Sequence, residues 1–507
     1  MSAIRKLAGQ TAIYGLSSII ARFLNFLLTP LYTSKGVFPP AEYGVITALY
    51  AWAAFLNIVL TFGMETAYFR YSTQPEVVPP GGDQQARRDR SVYPSAFFAI
   101  SSIAVPFMVL CALLASPISR GIGYPGHTNS ILMLVVILGV DALTAIPMAR
   151  LRQQGRAWRF AMVNLVSVAV NIGLNLFFIA YLMKGYGSGR SDWFIDNLYH
   201  PSFGIGYVFL ANVIASLVKF IMLLPTMPFF AKVDRPMLRH MFTFAAPLMV
   251  AGLAGMVNET SDRILLKYLL PDDVADEQIG IYGACYKLAI LITLFIQAFR
   301  FAAEPFFFSH AGEKDSRSTF ARIMNLFVAF CMSAFLVVML YLDIFKYFIP
   351  NPAYWEGLRA VPILMLANVF LGIYYNQSVW YKLSDRTRAG SMIALAGALI
   401  TVLLNLWWIP LMGYMGSAWA TLCCYAGMAL ISYKMGQRFW PVPYNVGRIL
   451  LYMGGGVALW WAASAMIANV TMPSAVHQVL RLAALLIFLA LVWKLERPLE
   501  ALQRSRR

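Results

Sequence analysis

Charge is scarce in this sequence. Only 12% of its 507 residues are Asp, Glu, Lys or Arg, against about 25% in a soluble domain, and 60% are hydrophobic. Such a chain has too little polar surface to cover a water-soluble fold. Cysteine is scarce too. The five, Cys111, Cys285, Cys331, Cys423 and Cys424, lie in apolar stretches without CxxC spacing, which argues against a disulfide framework or a zinc site. The five histidines stand mostly at helix ends or in loops, so no catalytic imidazole is indicated inside a membrane. No A-x-A-like cleavage site follows "MSAIRKLAGQ", and the first apolar segment is read as a retained helix rather than a cleaved signal peptide.

What the sequence does have is apolar runs of helix-spanning length, about 20 residues or more. Barrel strands would be shorter and alternating. The chain therefore reads as an all-α polytopic membrane protein. Apolar runs and their breakers give fourteen transmembrane helices, centred on residues 8–31, 44–64, 94–115, 130–149, 160–183, 205–228, 241–266, 280–301, 322–342, 359–380, 390–411, 416–435, 448–468 and 478–494.

The net charge of +17 is a matter of topology and not of nucleic acid. With the N-terminus in the cytoplasm, 28 of the 40 Lys and Arg fall on cytoplasmic segments and helix ends, 9 on the opposite side and 3 (Arg22, Lys219, Lys287) inside helices. That bias alternates loop by loop, as the positive-inside rule requires. It places both termini in the cytoplasm, with the basic tail "LQRSRR" against the anionic inner leaflet.

The chain also repeats itself. "AEYGVITALYAWAAFLNIVLTFGMETAYF" (41–69) resembles "IGIYGACYKLAILITLFIQAFRFAAEPFFF" (279–308), with Tyr43-Gly44 matching Tyr282-Gly283 and Glu65 matching Glu304. "NIGLNLFFIAYLMKGYG" (171–187) resembles "TVLLNLWWIPLMGYMG" (401–416), with Asn175 matching Asn405. An even number of helices separates the copies, so both halves insert in the same direction as parallel repeats. This implies two pseudo-symmetric six-helix lobes around a central cavity, residues 1–235 and 236–440. Residues 441–507 add two further helices and the basic tail. That is transporter architecture.

Charges inside spanning helices face a cavity or a partner, and depth separates them. Arg22 lies sixteen residues beyond Lys6, about 24 Å into its helix. It suits either an internal ion pair or a contact for an anionic substrate. Lys287, about 12 Å inside its helix, either snorkels outward or faces the cavity. Lys219, nearer the cytoplasmic end, is expected to snorkel. Asp141 is the deepest acid, a coupling group for protons or cations or, more in keeping with its depth, the partner of a base on a neighbouring helix. Arg300 precedes Glu304 by one helical turn, and that pair, with Glu65 at the equivalent position, is expected to bracket the inner mouth.

Glu259, Asp262 and Arg263 stand about 30–36 Å along their helix, near the outer interface. There they either form a solvated helix end or line the outer part of a cavity. Asp262 and Arg263, being adjacent, are expected to point apart without pairing. Prolines at Pro30, Pro247, Pro305 and Pro410 are candidate kinks. The outer loop "GYGSGRSDWFIDNLYHPSFGIG" carries Asp192, Asp196 and His200, read as solvated in preference to a metal or sugar site. No enzyme is expected.

"DRILLKYLLPDDVADEQIGIYGACYKLA" (262–289), "LTPLYTSKGVFPPAEYGVITALY" and "NLWWIPLMGYMGSAWAT" together resemble polysaccharide flippases of the multidrug/oligosaccharidyl-lipid/polysaccharide (MOP) exporter superfamily, over about the first 440 residues. The resemblance implies a flippase moving polyprenyl-diphosphate-linked oligosaccharide from the cytoplasmic to the periplasmic leaflet of the inner membrane, for surface polysaccharides such as lipopolysaccharide. It implies a cationic cavity in which Arg22, Arg263 and Lys287 meet the diphosphate. Asp141, Glu65, Arg300, Glu304, Glu259 and Asp262 remain as coupling or gating candidates. The implied partners are membrane lipids, the lipid-linked glycan and a polysaccharide polymerase or ligase. No cofactor is implied, and a proton or sodium gradient is the candidate energy source. The alternatives are a lipid II flippase, in which two extra C-terminal helices form a groove for the lipid tail, and a cation-coupled multidrug exporter.

Overall fold

The computed structural model describes residues 15, 17, 19–73, 84–310, 315–384, 386–469 and 473–504; at 84–90, 301–302, 304–305, 308–310 and 497–504 it describes the backbone alone. Among the described residues the chain is helical, without strands. Thirteen helices are long and apolar enough to cross a membrane, with mean hydropathy 1.3–2.5 over their most apolar windows, and the shorter Ile19–Tyr32 precedes them.

We number them α1 (Ile19–Tyr32), α2 (Pro40–Ser72), α3 (Ser91–Leu113), α4 (Pro125–Gln153), α5 (Ala157–Gly187), α6 (Gly206–Thr226) and α7 (Arg235–Leu269). The second half holds α8 (Asp272–Arg300), α9 (Ser316–Leu340), α10 (Pro352–Leu383), α11 (Thr387–Met412), α12 (Tyr414–Phe439), α13 (Val446–Asn469) and α14 (Ser474–Glu496). These correspond one for one to the fourteen expected segments, although the first residues of the expected 8–31 helix lie outside the described ones.

Local chemistry sets the boundaries. Asp234 N-caps α7 by accepting the Met237 amide (3.1 Å), with a proline in the first turn. The Phe62-Gly63 pair adopts the left-handed region (φ 49° and 69°) and interrupts α2. Gly413 (φ 58°) separates α11 from α12. Within α5, Leu176–Met183 widens into a π-helical stretch directly after Asn175. Pro247 and Pro410 lie inside unbroken helices.

The chain divides into two compact units, Met1–Ala284 with Thr401–Ser417, and Cys285–Ile400 with Ala418–Arg507. In the first, α4 packs against α3 and α6, α6 against α5, and α7 along α2. In the second, α13 packs on α9 and α14 against both. The last two helices are pinned by polar contacts. Buried Arg481 of α14 donates to Asp343 beyond the end of α9 (2.9 Å), while buried Glu496 accepts from Tyr452 of α13 (2.8 Å) with Arg448 at 3.5 Å.

The closest approach in the first unit joins the N-terminal turns of α2 and α8. A Cβ on Gly44 would lie 1.8 Å from the Asp276 carbonyl oxygen, and one on Gly280 would lie 1.8 Å from that of Pro40. Gly283 abuts Thr47 in the same seam. Backbone cannot yield as a side-chain tip can, so any larger residue must spread the two helices. Small residues allow such backbone contact in membranes, where packing rather than hydrophobic exclusion holds helices together. Replacing Gly280 with valine is expected to cost about 1–3 kcal/mol. It should lower the thermal midpoint in detergent and raise labelling of a cysteine placed at Ala41 by a membrane-impermeant maleimide. Unchanged labelling and midpoint would show that the seam is not tight.

Candidate functional site

Membrane helices carry polar side chains only where something satisfies them. In the first unit these side chains form three groups. The first lies along α7, where Asn258, Asp262, Arg263 and Lys267 are all buried, Asp262 to 4%, Arg263 to 9% and Lys267 to 8% residual exposure.

Asp262 Oδ1 accepts the backbone N–H of Arg263 (2.8 Å) and its guanidinium Nη1 (3.3 Å), and Oδ2 accepts the hydroxyl of Tyr282 on α8 (2.7 Å). Arg263 Nη1 also donates to the Glu259 carbonyl (2.7 Å), and its guanidinium stands 5.8 Å from the Tyr282 ring centre. One turn on, Lys267 Nζ donates to Asp276 (2.9 Å) and lies 4.6 Å from the Tyr124 ring centre. Tyr124 donates its hydroxyl to the other Asp276 oxygen (3.0 Å). Burial, and then the Asp276 charge, hold the Tyr124 phenol well above its usual range, so it stays a donor.

This overturns two expectations. Asp262 and Arg263 do pair, and they form neither a solvated helix end nor an open lining. Neighbouring side chains leave a helix about 100° apart, but the long arginine stem folds back toward the preceding turn. There it meets the Glu259 carbonyl and the Asp262 carboxylate together, while Tyr282 covers both. Glu259 itself is exposed. Lys267, Asp276 and Tyr124 were not singled out from the sequence, and Tyr282 only as a repeat position. The available signal was the turn "LKYLLPDD" (266–273), which folds a base back over the acids that follow it.

The second group is deeper. Asp141 of α4 lies 3.6 Å from Lys219 Nζ and accepts from Ser216 (3.2 Å), both on α6. On the same helix the Asn212 amide donates to the Tyr50 hydroxyl of α2. Lys219 therefore does not snorkel; a carboxylate one helix away is a better partner than a distant interface. Glu65 pairs with Arg152 of α4, whose guanidinium also faces the Phe69 and Phe160 rings.

The third group is a ladder of amides. Asn175, fully buried, donates to the Asn171 carbonyl (2.8 Å) and accepts from Tyr32 (2.8 Å), and Asn171 donates to Asn25 of α1 (3.1 Å). Asn405, also fully buried, donates to the Thr401 carbonyl (2.7 Å) and accepts from Ser417 (2.9 Å), and Thr401 donates to Asn258 of α7 (3.3 Å). Both copies share the asparagine bonded to the carbonyl four residues earlier and a cross-helix contact from that earlier residue, Asn171 to α1 and Thr401 to α7. The hydroxyl that Asn175 accepts comes from α1, and the one that Asn405 accepts comes from α12.

The remaining candidates stand apart from these groups. Arg22 of α1 is exposed and makes no hydrogen bond or ion pair among the described residues. Lys287, partly buried, and Arg300, whose guanidinium stands 4.2 Å from the Tyr375 ring centre, belong to the second unit. The side chain of Glu304, and with it the expected Arg300–Glu304 pair, lies outside the described residues. In the loop after α5, Asp192 caps the short helix Trp193–Leu198, accepting from Phe194 and Ile195 amides, and Asp196 accepts from Ser191. The Ile195 amide bond leads the contacts that hold the Asp192 carboxyl below its usual range.

Fourteen helices among the described residues, and the charges paired between them, describe a polytopic helical membrane protein. The chain superposes on a structure of the lipid II flippase MurJ in an inward closed conformation with a TM-score of 0.72 at 13% identity, covering 95% of this chain and 98% of that one. It superposes on an inward-facing multidrug resistance MATE family transporter of the MOP superfamily with a TM-score of 0.63 at 12% identity, covering 88% and 99%. No curated protein sequence matches it. A family model described as polysaccharide biosynthesis protein matches residues 7–311, and the chain belongs to that family.

The α7 cluster yields a stability test. Asp262→Ala leaves Arg263 buried without its carboxylate, and breaking such a pair costs about 3–5 kcal/mol. Tyr282→Phe removes one hydrogen bond to a charge, worth about 1.5–3 kcal/mol. Denaturation in detergent should rank Asp262→Ala below Tyr282→Phe below the parent chain. Equal stability of all three would show that the cluster is solvated.

Proposed function

We propose that this protein is a flippase that moves polyprenyl-diphosphate-linked oligosaccharide from the cytoplasmic to the periplasmic leaflet of the cell membrane for surface polysaccharide synthesis. It works by alternating access, with the repeat lobes 1–235 and 236–440 as moving parts. It is a transporter and not an enzyme. Family membership supports the cargo class. The single observation that carries the reading is Arg22. An arginine on the apolar helix α1, exposed and outside any ion pair among the described residues, is too costly to leave facing hydrocarbon. Water and a mobile anion are what it needs, and a diphosphate matches a guanidinium bidentately.

Arg22 is the cation assigned to the diphosphate. Arg263, neutralised by Asp262, is assigned to holding α7 against α8. Asp141, held 3.6 Å from Lys219, is the coupling candidate, and a proton or sodium gradient would drive the cycle. Both termini are placed in the cytoplasm by the Lys and Arg bias, and the exported glycan passes to a polymerase or ligase.

A second reading, a lipid II flippase, draws on one observation. An apolar groove of about 430 Å³ in the second unit runs beside α13, lined by Leu366, Phe370, Leu422, Met453, Val457 and Trp461 among others, and would suit a lipid tail. A multidrug exporter is less favoured, since cationic drugs call for acids where Arg22 stands.

Mass spectrometry of lipid extracts separates the three. Cells lacking the protein, and cells with Arg22→Ala at equal expression, should both accumulate one polyprenyl-diphosphate oligosaccharide. Accumulated lipid II would move the chain to cell-wall synthesis, and no accumulated lipid in either strain would remove the flippase reading.

A further inference from the structure

A cavity in the first unit is lined by none of the candidate residues of the site described above. It has a volume of about 700 Å³ and sits among the ends of α3, α4 and α6, with Arg150, Arg156, Lys232, Gln154, Tyr93 and Thr226 as its polar lining. No Asp or Glu is among its described lining residues. The nearest acid along the chain, Asp234, accepts the Met237 amide at the start of α7.

The cations are set by structure rather than scattered. Arg150 lies 4.2 Å from the ring centre of buried Tyr93, whose hydroxyl is tied to the Thr226 carbonyl (2.7 Å). The left-handed Gly155 (φ 68°) reverses the chain after α4, and the Arg156 amide bonds back to the Leu151 carbonyl (2.9 Å), which brings the second arginine round to the first. Lys232 closes the opposite wall at the end of the proline-braced loop "LPTMPFFAK" (224–232). That loop exposes Phe230 completely and Phe229 by half, and Trp158 is 75% exposed two residues after Arg156. Aromatic side chains in such positions anchor at the level of lipid headgroups.

We propose that this cavity binds the phosphate of an anionic membrane lipid, separate from the transported cargo. A concave site with two arginines, a lysine and no described acid is complementary to a phosphate oxyanion. Arginine's planar fork is the group that reads it bidentately. The size falls within the about 300–1,000 Å³ range of small-ligand sites, enough for a headgroup. The exposed aromatic rim leaves the acyl chains in the bilayer. A soluble phosphate ester would satisfy the cations but would give the rim nothing to do.

Native mass spectrometry of the full chain in detergent tests this with three probes: phosphatidylglycerol, phosphatidylcholine and free glycerol phosphate. Phosphatidylglycerol should be retained at least about tenfold better than phosphatidylcholine. The Arg150→Gln/Arg156→Gln/Lys232→Gln variant should abolish that preference, since each base near an anionic headgroup contributes severalfold in affinity. The charge-matched Arg239→Gln/Lys434→Gln/Arg438→Gln variant, altered at exposed positions outside the cavity, should keep it. Because the first variant could misfold, Arg156→Gln alone, at an exposed side chain, is included and should lose at least about twofold. Equal losses in both triple variants would reduce the effect to bulk charge and overturn the site, as would full retention by Arg156→Gln. Binding of glycerol phosphate without phosphatidylglycerol would overturn the lipid assignment in favour of a soluble phosphate ester. Cargo accumulation in cells is a separate measurement, so either proposal can fail alone.

Discussion

A carboxylate with 4% of its surface exposed must be neutralised where it stands, and in this protein that is Asp262. Its two oxygens collect a guanidinium, a backbone amide and a phenol from within a few residues of the contact between α7 and α8. Of those bonds, the one from the Tyr282 phenol crosses from α8 to α7 and fixes their relative position. Tyr282 can reach Asp262 only if α8 lies close to α7, and α8 is also pressed against α2 through Gly44 and Gly280. Buried ion pairs add little net stability over an apolar contact of the same shape, but losing one partner is expensive. The cluster thus acts as a constraint on geometry more than as a source of binding energy.

The same logic extends along the membrane-spanning segments. Asn175 and Asn405 each bond to the carbonyl four residues earlier and accept a hydroxyl, and Asn171 and Thr401 reach across to Asn25 and Asn258. In hydrocarbon such groups have no water to fall back on, so each specifies its neighbour. The two copies keep the carbonyl bond and the cross-helix contact, while the hydroxyl comes from α1 in one and from α12 in the other.

The helices were readable because length and hydropathy act through the bilayer alone, one segment at a time. The repeat was readable from Tyr43-Gly44, Tyr282-Gly283, Asn175 and Asn405. Partnerships were not, since they depend on which helix lies next to which. Asp141 was expected to find a base, but Lys219 was expected to snorkel, although each is the other's partner. Glu65 was placed with Arg300 and Glu304 by its repeat position, yet it pairs with Arg152, a residue without a counterpart in that comparison. The error at Asp262 and Arg263 came from treating side-chain direction as fixed by the helix, whereas an arginine stem spans a full turn. Arg22 and Lys287 stand in the sequence as conspicuously as before, because what meets a transported anion is set by motion and by cargo.

The π-helical stretch Leu176–Met183 in α5 bears on how the two halves grew apart. The interval from Asn175 to Gly185-Tyr186 is two residues longer than that from Asn405 to Gly413-Tyr414, and the surplus coincides with the widened turns. In a soluble protein an insertion of that kind would bulge out as a loop, with water satisfying the freed amides. Inside a bilayer that outlet is closed, and each π turn instead takes up an extra residue while keeping its backbone bonded. The wide segment thus takes up, without a loop, the two residues by which this copy exceeds the other.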